Sequence, residues 1–439
     1  MSAFEVQQVA NFTVEFSLNE KNQLATLWLP PPGETSAPDN KATKSPSAFL
    51  KKQEPKAVSR ITEQAKILRK RISKYKKELD RLYAKNQQWH YPEFEKDWLK
   101  DPIRKTLASR VVWQIRSGKD LKALVLSQSG TWHTTDGQQF NFETARIRLW
   151  HPVYAEVDEI LHWRHFFDEL PFQQPIKQAY REVYILTAAE LRTQNYSNRM
   201  AAHILKHGQL QALARQRGWE TPAVIFDQEE ATYGLKLGNW GLRATYQILR
   251  ADDQESNAYA QFVSTNQIRF FRGNRVLDLE NVPAVVFSET LRDIDLFVGV
   301  SSVGNDPTWQ DAGPEGHRDY WQRYSFGELA ESAETRKSVL EKLIPKLKIA
   351  HKCQIAGRYL KVKGKVREYY KIHMGSSNIL MAPDDRYLCI IPDQAVKPAQ
   401  NLFLPFEGDR TLSLILSKAF MLVEDDKITD ETIISQISY

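Results

Sequence analysis

The chain has 439 residues, of which 42% are apolar and 26% charged, and a net charge of +6. At roughly 100–200 residues per domain this length suggests two or three domains, and the composition excludes disorder, collagen or coiled coil throughout. Two cysteines, Cys353 and Cys389, are too few for a disulfide framework or a four-thiolate zinc site.

The opening residues MSAFEVQQVANF lack the basic and apolar regions of a secretory signal. The longest apolar stretch, Thr411 to Val423, has 13 residues and contains Lys418. That is short of the roughly 18 needed to span a membrane, so the expectation is a cytoplasmic chain with no membrane partner. The charge is uneven. Residues 51–85 carry 13 Lys/Arg against four Asp/Glu, a net +9, which leaves −3 for the rest.

In chain order, FTVEFSLNEKNQLATLWL (Phe12 to Leu29) has two alternating apolar runs around a polar turn, the pattern of a β-hairpin. Pro30 to Pro55 holds six prolines among small and polar residues and reads as a linker. From Ser59 to Lys85, apolar positions Ile61, Ala65, Leu68, Ile72, Tyr75, Leu79 and Leu82 recur every 3.5 residues on average, which predicts a long amphipathic helix. Such a stripe pairs either within the chain or with a second copy. An aromatic stretch, Trp89 to Trp98, reads as a turn, and Asp101 to Trp113 as a further helix. Leu121–Ser127, Thr131–Thr135 and Ala145–Leu149 read as short strands, and a helix begins after Glu156.

Beyond it, Ser197 to Gly218 has helical periodicity. Ala223–Phe226, Tyr233–Leu237, Leu242–Leu249, Ala258–Val263 and Gln267–Arg272 read as strands, and Glu289–Val298 and Glu334–Ile344 as helices. Tyr359–Val362 and Val366–His373 form a hairpin around Lys363-Gly364-Lys365, Tyr387–Ile391 is a last strand, and Thr411–Leu422 is a closing helix. Strands cluster rather than alternate with helices, which predicts an α+β fold. The expected organisation is a hairpin plus linker (1–57), a helical region with the basic helix and short strands (58–158), and a larger mixed α/β domain (159–439).

Four segments, REVYILTAAELRTQNYSNRMAAHIL, FSETLRDIDLFVGVSSVGNDPTW, KVREYYKIHMGSSNILMAPDDRYLCIIP and LFLPFEGDRTLSLILSKAF, occur in that order. They resemble the C-terminal region of bacterial MolR-like proteins, and the helix from Ser59 with Asp101-Pro102 resembles the region just upstream. The likeness covers roughly residues 45–439. It implies a fold lineage but no reaction, because the family has no established catalytic residues. Several longer members carry a WGR domain, a module shared with poly(ADP-ribose) polymerases, for which this chain has no room.

Several constellations are candidate sites. Lys66, Arg69, Lys70, Arg71, Lys74, Lys77 and Arg81 lie off the apolar stripe, so they present a basic face to nucleic acid, to an acidic protein or simply to solvent. Ser197 or Asn198 suits a helix N-cap with Arg199 as an anion contact, and His203 and His207 then share one helical face. Asn305 and Asp306 sit in a polar loop after an apolar run, and Asp293, Asp295 and Asp306 are the acids available to a Mg²⁺. Lys371 and His373 alternate onto one face of a strand, and Ser376 and Asn378 belong to a small-residue loop able to cradle an anion. There is no nucleophile elbow, dinucleotide fingerprint, kinase set or metal cage, and no cofactor is indicated.

Two functional expectations follow. The first is a non-catalytic binding or regulatory protein that docks nucleic acid or an acidic partner on its basic helix, with self-association through the 61–82 stripe as a further expectation. The alternative is an enzyme acting on a phosphate-bearing ligand, with His203 and His373 as acid–base groups. The first is preferred because no complete catalytic set is visible.

Overall fold

The 3.5-residue stripe is realised as one helix, Pro55–Asp80, followed after Arg81 by a further helical turn, Leu82–Lys85. Proline suits the first turn, where its missing N–H is not needed, and the interior is rich in Lys, Arg, Leu, Glu and Ala, all good helix formers. The computed structural model of the protein describes residues 3–31, 42–117, 120–127, 129–134, 139–140, 145–222, 230–252, 260–306, 309, 313, 315–390, 406 and 409–438. The protein is α+β, with about 45% of the described residues helical and 25% in strands. Its chain divides into two compact units, Met1–Arg181 with Phe403–Gly408, and Glu182–Leu402 with Asp409–Tyr439.

In the first unit, strands Glu5–Val9, Phe12–Leu18 and Leu24–Leu29 form an antiparallel three-stranded sheet in that order. Alternation turns Val14, Phe16 and Leu18 to one face, and these pack with Ile61, Ala65, Leu68 and Ile72 of the long helix and with Ile103 and Leu107. The stripe considered above as a seam between copies is therefore taken up inside the chain. The stretch after Pro30 is not all linker: Ala48–Gln53 is helical and capped by Ser47, whereas residues 32–41 lie outside those described.

A six-stranded antiparallel sheet follows, in the order Trp89–His90, Arg146–Leu149, Val112–Ser117, Asp120–Leu126, Trp132–His133, Gln139–Phe140. The helix expected over 101–113 spans only Pro102–Ala108, started by the Asp101 carboxylate, which accepts from the amides of Ile103 and Arg104. Val112 and Trp113 instead enter the sheet. There β-branched and aromatic side chains are fully buried, and Trp113 packs edge-on to Phe94 at 4.8 Å, so sheet packing overrides the helical spacing. Residues beyond 158 remain in this unit. Helix Val157–Asp168 leads to Gln178, whose side chain bonds the Val112 amide and the carbonyls of Val112 and Trp150.

In the second unit, Ile204–Lys206, Phe262–Arg272, Leu242–Arg250 and Glu230–Leu237 form an antiparallel sheet in that order, with Arg275–Val276 pairing the long strand. The two strands expected at 258–263 and 267–272 are one 11-residue strand, while the strand expected at 223–226 lies outside the described residues. Helix Ala284–Ser301 is buried over most of its circumference and meets the long strand through Phe287 and Phe270. A second sheet is a five-stranded meander: Cys353–Ala356, Tyr359–Val362, Tyr370–His373, Ile379–Met381 and Arg386–Leu388. Its second connection is longer than the Lys-Gly-Lys turn expected, because the amides of Lys365, Val366 and Arg367 all donate to the Asp425 carboxylate. Helices Arg318–Phe326, Glu331–Leu343, Arg410–Val423 and Glu431–Ile437 complete the unit. Among the described residues, no helix is long and apolar enough to cross a membrane.

Candidate ligand cavity in the second unit

A cavity of about 480 Å³ opens in the second unit. Its wall comes from stretches far apart in sequence: Tyr184, Arg199 to His203, Asp295 with Val298 and Gly299 on the buried helix, Tyr320 to Arg336, His373 with Gly375, and Thr411. The volume and the mixture of apolar surface with a few converging polar groups are those of a small-molecule site.

The segment bearing Arg199 and His203 is not the helix the sequence suggested. Ser197 exchanges backbone hydrogen bonds with Ile268, Ala202 has a left-handed φ of 61°, and the helix starts only at His207. Ser197 and Asn198 therefore cap nothing. The Ser197 hydroxyl is buried and donates to Glu190 at 2.6 Å, and Asn198 is exposed and outside the cavity wall. His207 bonds the Ala260 carbonyl and shares no helical face with His203. One guanidinium nitrogen of Arg199 donates to the Ile185 carbonyl and to Glu190.

His203 and His373 reach the same cavity but differ in what their nitrogens do. His373 Nδ1 accepts from the Ser376 amide at 3.1 Å, so its Nε2 carries the proton and donates to the Gly327 carbonyl at 2.9 Å. Both nitrogens are committed, which makes His373 a structural organiser of the 373–376 turn rather than the acid–base group expected. His203 is held through its backbone, which exchanges bonds with Thr265, while its buried Nδ1 has no partner among the described residues. Its ring stands edge-on to Tyr320 and Tyr324. Burial pushes both histidines down to about 4, which keeps them neutral at physiological pH.

Carboxyl groups complete the wall. Asp295 is buried and accepts from the Tyr184 hydroxyl at 2.7 Å. Burial raises its pKa against the opposing hydrogen bonds from Tyr184 and Ser332. Glu331 is also raised by burial, with Arg199 opposing and the Asp295 charge adding to the effect. Arg336 is anchored: its Nε donates to both Asp409 oxygens and its Nη1 to the carbonyls of Met374 and Gly375. Arg323 is exposed at the rim.

Other sequence candidates lie elsewhere. Lys371 is paired with Asp385 at 2.7 Å, outside the wall. The 375–378 loop cannot cradle an anion as expected, since the amides of Ser376, Ser377 and Asn378 are spent on His373 and on the Ser376 hydroxyl. Asp306 pairs with Lys206, and Asp293 with Arg217 and Trp219, so neither joins Asp295 around a cation. Asn305 supports the wall from behind, its amide donating to the Gly299 carbonyl and the Tyr324 hydroxyl. Among the described residues no group of three or more His, Cys, Asp or Glu could hold a metal ion.

On the basic helix, Arg71 turns to its own unit and pairs with Asp101 at 2.8 Å, contrary to the outward placement expected of it. Lys66 pairs with the exposed Glu63. Arg69, Lys70, Lys74, Lys77 and Arg81 are exposed.

Two family models match parts of the chain. Residues 41–219 match a domain of unknown function, DUF4132, and residues 333–437 match another, DUF7737. The cavity draws Tyr184, Arg199 and His203 from the first match, Arg336, His373 and Thr411 from the second, and Asp295 to Glu331 from between them. No curated protein and no solved structure matches the chain significantly.

Proposed function

We propose that the second unit is a small-molecule acid–base site, in which Arg199 and Arg323 seat a phosphate or carboxylate group and His203 exchanges a proton with the ligand. The observation that carries this reading is His203 itself, a wall residue of a ligand-sized cavity whose buried Nδ1 has no hydrogen-bond partner among the described residues. Burying such a nitrogen without a hydrogen bond costs about 1–3 kcal/mol, and a ligand atom in the cavity offsets that cost. Groups with perturbed protonation gathered in a cleft are characteristic of functional sites. Asp295 and Glu331, both shifted upward by burial, stand on the same wall as the neutral base.

An anion seated beside His203 raises its pKa, so binding draws in a proton. Calorimetric titration of the full chain with a panel of phosphate monoesters and dicarboxylates, near pH 6 in buffers of different ionisation enthalpy, tests both parts. The expected result is binding with net proton uptake, lost in His203→Asn and weakened at least ~10-fold in Arg323→Ala, a change of about 1.4 kcal/mol. Binding by none of the panel, or binding unchanged in both variants, overturns the reading. The chain is read within the same proposal as a bacterial, cytoplasmic MolR-like protein. The four ordered segments support the lineage, and two cysteines, Cys353 and Cys389, that are not joined in a disulfide suit a reducing compartment.

A further inference from the structure

The long helix Pro55–Asp80 carries nine Lys/Arg against three Asp/Glu. Three of the four acids between Lys51 and Lys85 are engaged in ion pairs: Glu78 with Arg104 and Asp80 with Arg181, both at 2.9 Å, and Glu63 with Lys66 at 3.0 Å. Arg69, Lys70, Lys74 and Lys77 are exposed and make no ion pair among the described residues. At 100° per residue, Lys70 and Lys77 stand opposite the buried Leu68, with Lys74 beside them and Arg69 on one flank. Folding into the unit does not require these outward cations, since the helix is held by its apolar stripe on the opposite side.

We infer that this outward face is a docking surface for the phosphate backbone of duplex nucleic acid. The face complements a duplex in both charge and length. From Arg69 to Lys77 the helix rises ~12 Å, over which a duplex presents about seven phosphate charges, enough to engage all four cations. The face carries no aromatic side chain on which the bases of a single strand would stack, because Tyr75 is turned to Asp101 and covered by Arg104. It also has no apolar surface to enter a membrane beyond Ile67, since the apolar stripe is buried under the N-terminal sheet. Point charges on a rigid rod position a duplex but do not read its sequence, so binding is sequence-independent.

The test is fluorescence anisotropy of the full chain with a labelled duplex of about 20 base pairs, titrated between ~50 and ~200 mM salt. The variant changes Arg69, Lys70, Lys74 and Lys77 to Gln. A charge-matched control changes the exposed Arg272, Arg275, Lys346 and Lys348 to Gln. Circular dichroism confirms that both remain folded. Four phosphate contacts predict that the slope of log affinity against log salt falls by roughly 3–4 in the helix variant and by less than about 1 in the control. No duplex binding by the unaltered chain at ~50 mM salt overturns the inference, as does an equal loss in both variants. Tighter binding to single strands, to vesicles containing phosphatidylserine, or to poly-glutamate at equal charge also overturns it, in favour of a different partner. None of these outcomes bears on the cavity.

Discussion

The helix Pro55–Asp80 and the cavity of the second unit are built from the same residue types and dispose of them in opposite ways. The helix hides an apolar stripe and turns its cations to water, while the cavity draws arginines, carboxyls and a histidine inward around space. The first arrangement arises within 26 consecutive residues. The second takes contributions from Tyr184 through Thr411. Surface charge thus costs the fold little and can be read locally, whereas buried charge is expensive and must be satisfied by partners assembled from a distance.

Acid should separate the two regions most strongly. The folded-state pKa of His203 and of His373 is about 4 against an ordinary 6.5, so between those values the unfolded chain binds protons that the folded one does not. Stability is therefore expected to fall as pH drops from about 6.5 towards 4, by roughly 3 kcal/mol for each histidine. Urea unfolding at several pH values measures this, and His203→Asn should remove its share of the slope. A flat profile over that window would break the contrast.

Leu68→Ala probes the hidden side of the helix. Leu68 is fully buried beneath the three-stranded sheet, and truncation should cost about 2–5 kcal/mol in denaturant unfolding. Gly304→Ala acts on the cavity wall: its new methyl would collide with the Tyr324 ring. We expect a loss of about 1–3 kcal/mol from the displaced ring, together with weaker binding of any ligand found for the cavity. The smallest effect belongs to the outer helix face, where Lys70→Ala should change the unfolding free energy by less than about 0.5 kcal/mol. A large effect there would mean that the basic face serves the fold.

The same contrast explains what was legible in the sequence. Ile61 to Leu82 announces its helix because one short-range period governs the whole element, and the alternation of Phe12 to Leu18 does the same for a strand. His203 and His373 were found by residue type, yet their environments were not readable. The helical spacing of His203 with His207 is broken by the left-handed Ala202 and by the pairing of Ile204–Lys206 with the long strand. Lys371 and His373 stand two apart on one strand, but Asp385 claims the lysine and Gly327 with Ser376 claims the histidine. Tyr184, Arg323, Glu331 and Arg336 carried no local signal, because each is ordinary in its own segment and gains a role only from the cavity that distant segments enclose, as Tyr184 does from Asp295 and Arg336 from Asp409.

Phe406 gives the first unit a timing problem. This residue is fully buried, bridges to Gln174, lies 5.4 Å from the Tyr180 ring and carries the Lys177 ammonium over its face. These partners all precede Arg181, yet Phe406 follows Arg181 by 225 residues. At about 5–20 residues per second the ribosome needs roughly 11–45 s to supply it. Throughout that interval the Tyr180 ring, although Arg164 lies over it, lacks its contact with Phe406. The unit that begins the chain is finished almost last, and expressing residues 1–181 alone would leave that gap permanently open.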